Sequence, residues 1–162
     1  MATDRMVTEG DPAPDFSAFL AGTVPAEPFD AAAAYEDGPI VLAFFPLAFT
    51  GGCTEEMCMF RDEFAAFESV GADVYGISVD SPAALRAFGE RHDLGFDLVS
   101  DFNREAIDAY DVESEEIAGL QRLAQRSVFV VGTDGTVVYA WRADDPGHLP
   151  DAGPIKRAVD IS

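Results

Sequence analysis

The stretch that most constrains this chain runs from Ile40 to Arg61 and reads IVLAFFPLAFTGGCTEEMCMFR. Ile40 to Phe45 are all apolar, and Pro46 ends the run. A short segment carrying Thr50, Gly51 and Gly52 leads to Cys53, after which Met57, Phe60, Phe64 and Phe67 recur at helical spacing. This pattern predicts a buried strand, a tight turn, and a cysteine in the first turn of a helix. Unpaired N–H groups and the positive end of the helix dipole favour negative charge at that point, and the thiolate is the reactive form of cysteine. The glycines let the backbone turn sharply and approach a small ligand closely. Cys53 and Cys58 are the only cysteines, so any thiol chemistry sits here. On this evidence alone, a small hydrophobe of the core is the competing reading of Cys53.

The rest of the chain reads as an α/β fold. Residues 1 to 11 are polar and loose; Pro12 and Pro14 bracket an extended segment, and Asp15 to Phe19 form a short edge strand. The segment from Val24 to Tyr35 is undecided, although Ala31 to Ala34 suit a helical turn. Asp37-Gly38-Pro39 is a turn feeding the strand at Ile40, and the long helix runs from Cys53 to Ser69 with Gly71 as its stop. Ala72 to Val79 form a second core strand, nearly continuous in apolar character. Asp80-Ser81-Pro82 starts a helix that carries Ala84, Leu85 and Phe88 inward and frays near His92. A short strand at Asp97 to Val99 and a helix from Asn103 to Tyr110 follow, and Asp111 to Gln125 is either loop or helix. Ser127 to Val131 and Thr136 to Trp141 flank the hairpin turn Thr133-Asp134-Gly135, and a helix near Gly153 to Val159 closes the chain. Alternating strands and helices followed by a hairpin predict a mixed sheet with helices on both faces.

The length of 162 residues suits one domain, residues 1 to 162, with a substantial core. Thirty acidic against ten basic residues give a net charge of -20, and nine of the ten basic residues are Arg, the tenth being Lys156. Such a surface repels nucleic acid and anionic membranes, so neither is an expected partner. Self-repulsion of this size is screened when the Debye length falls to ~3 Å at 1 M salt, which predicts a salt-adapted, halophilic cytoplasm. The N-terminal residues lack the apolar core of a signal peptide, and no stretch reaches membrane-spanning length. A soluble, cytoplasmic protein is therefore expected, where two cysteines serve redox chemistry more readily than a structural staple.

The spelling carries more than the pattern. Pro46, Thr50 and Cys53 form a P-x-x-x-T-x-x-C signature, which resembles that of peroxiredoxins, the thiol peroxidases built on a thioredoxin-like fold. The resemblance covers nearly the whole chain. Gly10 to Phe16 (GDPAPDF) looks like the family's opening element, and Val74 to Pro82 (VYGISVDSP) resembles its second core strand and next helix start. Arg126, just before SVFVVGTDG, falls where the family places its active-site arginine. The spacing of Cys53 and Cys58 with TEEMCMFRD resembles the bacterioferritin-comigratory, or Q-type, subgroup. PLAFTGGC is closer to the subgroup related to alkyl hydroperoxide reductase E.

The resemblance implies roles that the residue chemistry suits. Cys53 becomes the peroxidatic nucleophile, attacking the terminal oxygen of a hydroperoxide and becoming a sulfenic acid. Thr50 offers a hydroxyl that accepts and donates beside the sulfur; its plainer reading is a helix cap or turn residue. Pro46 shields the thiolate without adding a competing N–H. Arg126 supplies a permanent cation with a rigid fork of donors, with Arg122 as the weaker rival. Glu56 lies where the family tolerates Glu or Gln and would orient Arg126 or Arg61, although a carboxylate close to a thiolate opposes ionisation. The Q-type resemblance makes Cys58 the resolving cysteine, giving an intramolecular disulfide recycled by thioredoxin or a similar dithiol donor. In a regular helix, residues five apart have Cα atoms ~8.6 Å apart, whereas a disulfide needs about 7 Å or less. Resolution by Cys58 would thus require the first turns of the helix to unwind. The rival is a one-cysteine cycle in which an outside thiol resolves Cys53.

Two further readings compete. A dithiol-disulfide oxidoreductase is weakened by the lack of Cys-x-x-Cys, and a non-enzymatic redox switch or holdase would use Cys53 only once. Met57 and Met59 read as packing residues, and Trp141 as a strand residue at a groove or an interface. His92 and His148 stand far apart in sequence without paired ligands, so neither a metal nor another cofactor is expected. A monomer or homodimer is the expected assembly.

Overall fold

The computed structural model of the protein describes residues 7–22, 25–145 and 147–160. The expectation of a loose start therefore falls largely outside the described residues, as does Val24. Twelve elements alternate along the chain: β1 (Ser17–Leu20), β2 (Glu27–Asp30), α1 (Ala31–Ala34), β3 (Ile40–Phe44), α2 (Gly51–Ser69), β4 (Asp73–Ser78), α3 (Pro82–His92), β5 (Asp97–Ser100), α4 (Glu105–Tyr110), β6 (Ser127–Val131), β7 (Val137–Arg142) and α5 (Ala152–Asp160). The strands form one 7-stranded sheet in the order β2-β1-β5-β4-β3-β6-β7. β3, β4 and β5 run parallel, while β6 and β7 return antiparallel, giving the mixed sheet expected.

β3 is buried at every position because both of its faces are covered. Val41, Ala43 and Phe45 turn toward the core shared by α2, α3 and α5. Ile40, Leu42 and Phe44 turn toward the opposite core, which contains Ala106, Ile107 and Tyr110 of α4. That is the period of two of a strand, read out on two apolar layers. α2 lies close over the sheet: a Cβ on Gly76 of β4 would meet the Met57 sulfur at 2.8 Å. Only glycine admits the helix at that depth. Met57 is itself fully buried, and Met59 and Trp141 pack against the same core.

The expected edge strand at Asp15 to Phe19 needs correction. β1 spans Ser17–Leu20 and lies inside the sheet, paired with β5 on one side and β2 on the other. The true edge is β2, which pairs Pro28 with Phe19 and buries Phe29. Its EPFD spelling hides it, because proline disfavours a strand reading except at an edge.

Other boundaries shift by a few residues for identifiable reasons. α2 begins at Gly51, two residues before Cys53, and Gly71 follows it with φ 80°. α4 begins at Glu105 rather than Asn103, because Arg104 is left-handed (φ 64°) and caps nothing with its side chain. Its first N–H groups are satisfied instead by buried Asp101, whose carboxylate accepts from Ala106 N at 2.8 Å and Ile107 N at 2.9 Å. The undecided stretch from Asp111 to Gln125 is neither helix nor strand. It folds back on itself through isolated bridges between Glu113 and Ala124 and between Ile117 and Leu120.

Candidate active site

Strand register brings the site together. β3 ends at Phe44, which pairs with Ser127, the first residue of the antiparallel β6. The residue before β6, Arg126, therefore stands beside the loop that leaves β3 through Pro46. On the other side Phe44 pairs with Ile77 of the parallel β4, and Phe45 N donates to Ile77 O at 2.9 Å. The loop thus leaves the sheet at the carboxyl ends of β3 and β4, the usual crevice of such sheets.

Asp80 pins that loop. Its Oδ2 accepts from Ala48 N at 2.8 Å and from Ser78 Oγ at 2.6 Å, while Ser100 Oγ donates to the Asp80 carbonyl at 2.6 Å. Sequence reasoning treated Asp80 only as part of a helix start. The cap of α3 is Ser81, which accepts from Ala84 N at 3.2 Å. Asp80 is free to reach across because Ser81 does the capping, and no local signal in the sequence reveals that contact. Beyond Ala48, Phe49 adopts φ 66° and is half exposed. A bulky residue held in this left-handed conformation is strained, a state tolerated only where the surroundings over-determine it.

Thr50 follows at the N-cap of α2, where its side chain makes no capping bond. Its Oγ1 instead donates to Leu47 O at 2.8 Å, so the hydroxyl oxygen can still accept. The turn reading of Thr50 is thus realised and the cap reading is not. Thr50 is exposed and Pro46 is buried, so the loop presents one polar group outward and an apolar wall inward.

Cys53 is 1% exposed, in the first turn of α2. Arg126 Nη2 donates to its Sγ at 3.4 Å, and Nη1 of the same guanidinium donates to Glu56 Oε1 at 2.5 Å. Glu56 is fully buried and Arg126 is 4% exposed, so cysteine, arginine and glutamate form a dry cluster. A Cβ on Gly52 would come within 3.3 Å of Arg126 Nη2, which is why the guanidinium fits against the helix start. Burial pushes the Glu56 carboxyl up to about 7, against the opposing pull of Arg126. Burial works against the charge on Arg126, yet Glu56 and then Cys53 hold the guanidinium above its ordinary value.

Of the two arginines weighed from sequence, Arg122 is excluded from this cluster. It is exposed and held by Glu113 at 2.9 Å and Asp108 at 2.6 Å. Arg61 is likewise not the partner of Glu56, because it bonds Asp62 Oδ1 and the carbonyl of His92. Cys58 is half-buried, forms no disulfide, and lies within the same uninterrupted helix as Cys53. Pro46 and Arg126 line a cleft of about 420 Å³ together with Glu113, Glu115, Glu116, Asp144 and Asp145. Among the described residues, no group of three or more His, Cys, Asp and Glu could hold a metal ion. A buried thiol gripped by a cation at a helix start suits attack on a small electrophile rather than metal binding.

Comparison with known proteins agrees with this chemistry. Residues 9–140 match the AhpC/TSA family. A Mycobacterium tuberculosis protein that carries the peroxiredoxin name is 34% identical over 154 residues, covering 92% of this chain and 94% of its own. The peroxiredoxin Bcp of Bacillus subtilis is 34% identical over 110 residues, 67% of this chain and 70% of that one. Among solved structures, the peroxidoxin BcpB of Mycobacterium tuberculosis superposes with a TM-score of 0.82 at 28% identity, covering 96% and 97% of the two chains. Xanthomonas campestris peroxiredoxin Q gives 0.75 at 30% identity over 90% of each. With the family match spanning most of the sequence and the fold shared from β1 to α5, the chain belongs to the AhpC/TSA family, the thiol peroxidases called peroxiredoxins.

Proposed function

We propose that Cys53 is the peroxidatic nucleophile of this thiol peroxidase and that Thr50, Arg126 and Pro46 build its peroxide site. The observation that carries the reading is the Arg126 guanidinium, which bonds the buried Cys53 sulfur at 3.4 Å from a fixed position. Cys53 Sγ attacks the terminal oxygen of the hydroperoxide; the S–O bond forms and the O–O bond breaks. The electron pair leaves on the other peroxide oxygen, the one bearing hydrogen or carbon, which takes a proton to become water or an alcohol, and Cys53 becomes a sulfenic acid. Thr50 Oγ1, already committed as a donor to Leu47 O, accepts from the peroxide O–H. Arg126 stabilises negative charge on sulfur and on the departing oxygen, an interaction that is strong because the site is dry. Pro46 closes the cluster on the cleft side without an N–H that would compete for the thiolate. Glu56 holds the guanidinium in orientation through its 2.5 Å bond.

Cys58 resolves the sulfenic acid in this reading: its thiolate attacks the Cys53 sulfur, the disulfide forms and water leaves. Both cysteines lie in the continuous helix Gly51–Ser69. Five residues of regular helix separate Cα atoms by ~8.6 Å, beyond the ~7 Å that a disulfide spans, so the first turns of α2 unwind in every cycle. A dithiol donor of the thioredoxin kind then reduces the disulfide. After one equivalent of peroxide, mass spectrometry should find a loss of two hydrogens within one chain, and Cys58→Ser should instead accumulate the sulfenic acid. Absence of the intramolecular disulfide, with turnover kept on a monothiol donor, would favour the one-cysteine cycle, which the uninterrupted helix by itself supports.

The net charge of -20 supports a salt-adapted cytoplasmic setting. No helix among the described residues is long and apolar enough to cross a membrane. Moving from 0.1 M to 1 M salt shortens the Debye length from about 10 Å to ~3 Å. The thermal midpoint should rise by about 5–10 °C, equivalent to roughly 2–3 kcal/mol. A midpoint that stays flat across this range in thermal scans would remove the salt-adapted assignment.

A further inference from the structure

The Cys53, Arg126 and Glu56 cluster contains two groups able to carry negative charge and one fixed cation. Glu56 Oε1 accepts from Arg126 Nη1, but Glu56 Oε2 is fully buried and has no hydrogen-bond partner among the described residues. A bare carboxylate oxygen in such a place is costly, whereas a neutral acid is far less so. Among the described residues, the ionisable groups beside it are few. α2 itself offers Cys53, and the loop into β6 offers Arg126. Lys156 of α5 is occupied by Glu63 at 2.5 Å, and Arg142 of β7 lies over the Phe129 ring on the opposite face of the sheet. Among the described residues, Arg126 is the charged group that acts on the protonation of Glu56.

We propose that, in the reactive form of the site, Glu56 holds a proton on Oε2, so that of these two acids only the Cys53 thiolate draws on the charge of Arg126. Glu56 is then a positioning residue with a titration of its own. With the proton in place the cluster is neutral overall: thiolate, guanidinium and carboxylic acid. When Glu56 ionises, the cluster gains a net negative charge in a dry site. The carboxylate then draws the guanidinium toward itself, and the thiolate loses part of its stabilisation. The burial that lifts the carboxyl to about 7 puts this transition within the working pH range. The inference rests on Cys53 being the nucleophile and deepens that reading.

The test is the pH dependence of the second-order rate of hydrogen peroxide reduction, in the wild type and in Glu56→Gln. The wild-type rate should fall by about tenfold between pH 7 and 9, and the neutral amide should remove that alkaline limb. At pH 6 the two proteins should react within a factor of about three, and at pH 9 Glu56→Gln should be the faster. Infrared difference spectra on the wild type between pH 6 and pH 9 supply a second readout that needs no variant. They should lose a carboxylic-acid carbonyl band that is absent from Glu56→Gln. Parallel profiles, a uniformly slower Glu56→Gln, or no such band would each overturn the proposal and leave Glu56 as a geometric support only. Loss of the nucleophile assignment would look different: Cys53→Ser would then retain peroxide reduction, whatever the pH profile of Glu56→Gln.

Discussion

Cys53→Ser should fold like the wild type and consume hydrogen peroxide at about a thousandth of its rate or less. The exchange replaces a sulfur by a smaller oxygen at a site that is 1% exposed, which leaves packing nearly intact. The serine hydroxyl stays protonated where a thiol ionises, and oxygen does not take up an oxygen atom as sulfur does. The buried hydroxyl also still has a donor in Arg126 Nη2, so stability should change by no more than about 1 kcal/mol. Peroxide consumption in a continuous assay and the thermal midpoint of the same sample decide the matter together. An unchanged midpoint with lost turnover identifies Cys53 as the nucleophile. Retained turnover in a folded Cys53→Ser would remove it.

Arg126→Ala should lose about 10²–10³ in kcat/KM, the usual consequence of deleting one preorganised donor to a developing charge. The stability cost is more informative. Removing one partner of a buried ion pair commonly costs about 3–5 kcal/mol, because the other charge is left uncompensated. Here the abandoned partner can escape by taking a proton. Burial already lifts Glu56 above its ordinary 4.5 to about 7, and Arg126 is the opposing influence. Without Arg126 the carboxyl rises further. A folded-state value raised above the unfolded one means that the native state binds the extra proton, so stability is retained at acid pH. It is lost as pH climbs from about 4.5 through the folded value. Arg126→Ala should therefore be close to wild type in stability at pH 5 and markedly weaker at pH 8. Denaturant titrations at the two pH values check the sign. The double replacement Arg126→Ala, Glu56→Gln should recover the loss at pH 8 without recovering activity, which separates what the pair does for folding from what Arg126 does for the peroxide.

Much of this site is legible in the chain because it is local. The apolar run from Ile40, the stop at Pro46, and the return of Met57, Phe60 and Phe67 at helical spacing dictate a strand, a loop and a helix whose first turn carries Cys53. The alternation of β3 between two cores follows from the same run, since only a doubly covered strand can be apolar at every position. The spelling around Pro46, Thr50 and Cys53 then names the family, and Arg126 is found through that resemblance alone. Local chemistry also sets the conflict over Cys58, because five residues of helix are too long for a disulfide.

What the tertiary structure decided is which distant groups meet. β2 was hidden because Pro28 is tolerated only at the free edge that the assembled sheet provides. Asp80 reads as the start of a helix until β3 and β4 lie side by side and bring Ala48 N within 2.8 Å of its carboxylate. Arg126 and Arg122 are near neighbours in sequence. The antiparallel register of β3 with β6 delivers Arg126 to Cys53, while Arg122 is left to Glu113 and Asp108 outside. The sharpest case is Glu56. From the sequence it is an acidic residue three positions after Cys53, offered by the resemblance as an orienter of Arg126 or of Arg61 with nothing local to choose between them. Packing of α2 against the sheet buries it fully, pairs one oxygen with Arg126 and leaves the other with no partner among the described residues. Desolvation depends on everything packed around a group, whereas helical spacing and turn chemistry depend only on near neighbours in the chain. The sequence thus determined where the thiol would lie, and the fold alone decided which charges share its dry pocket.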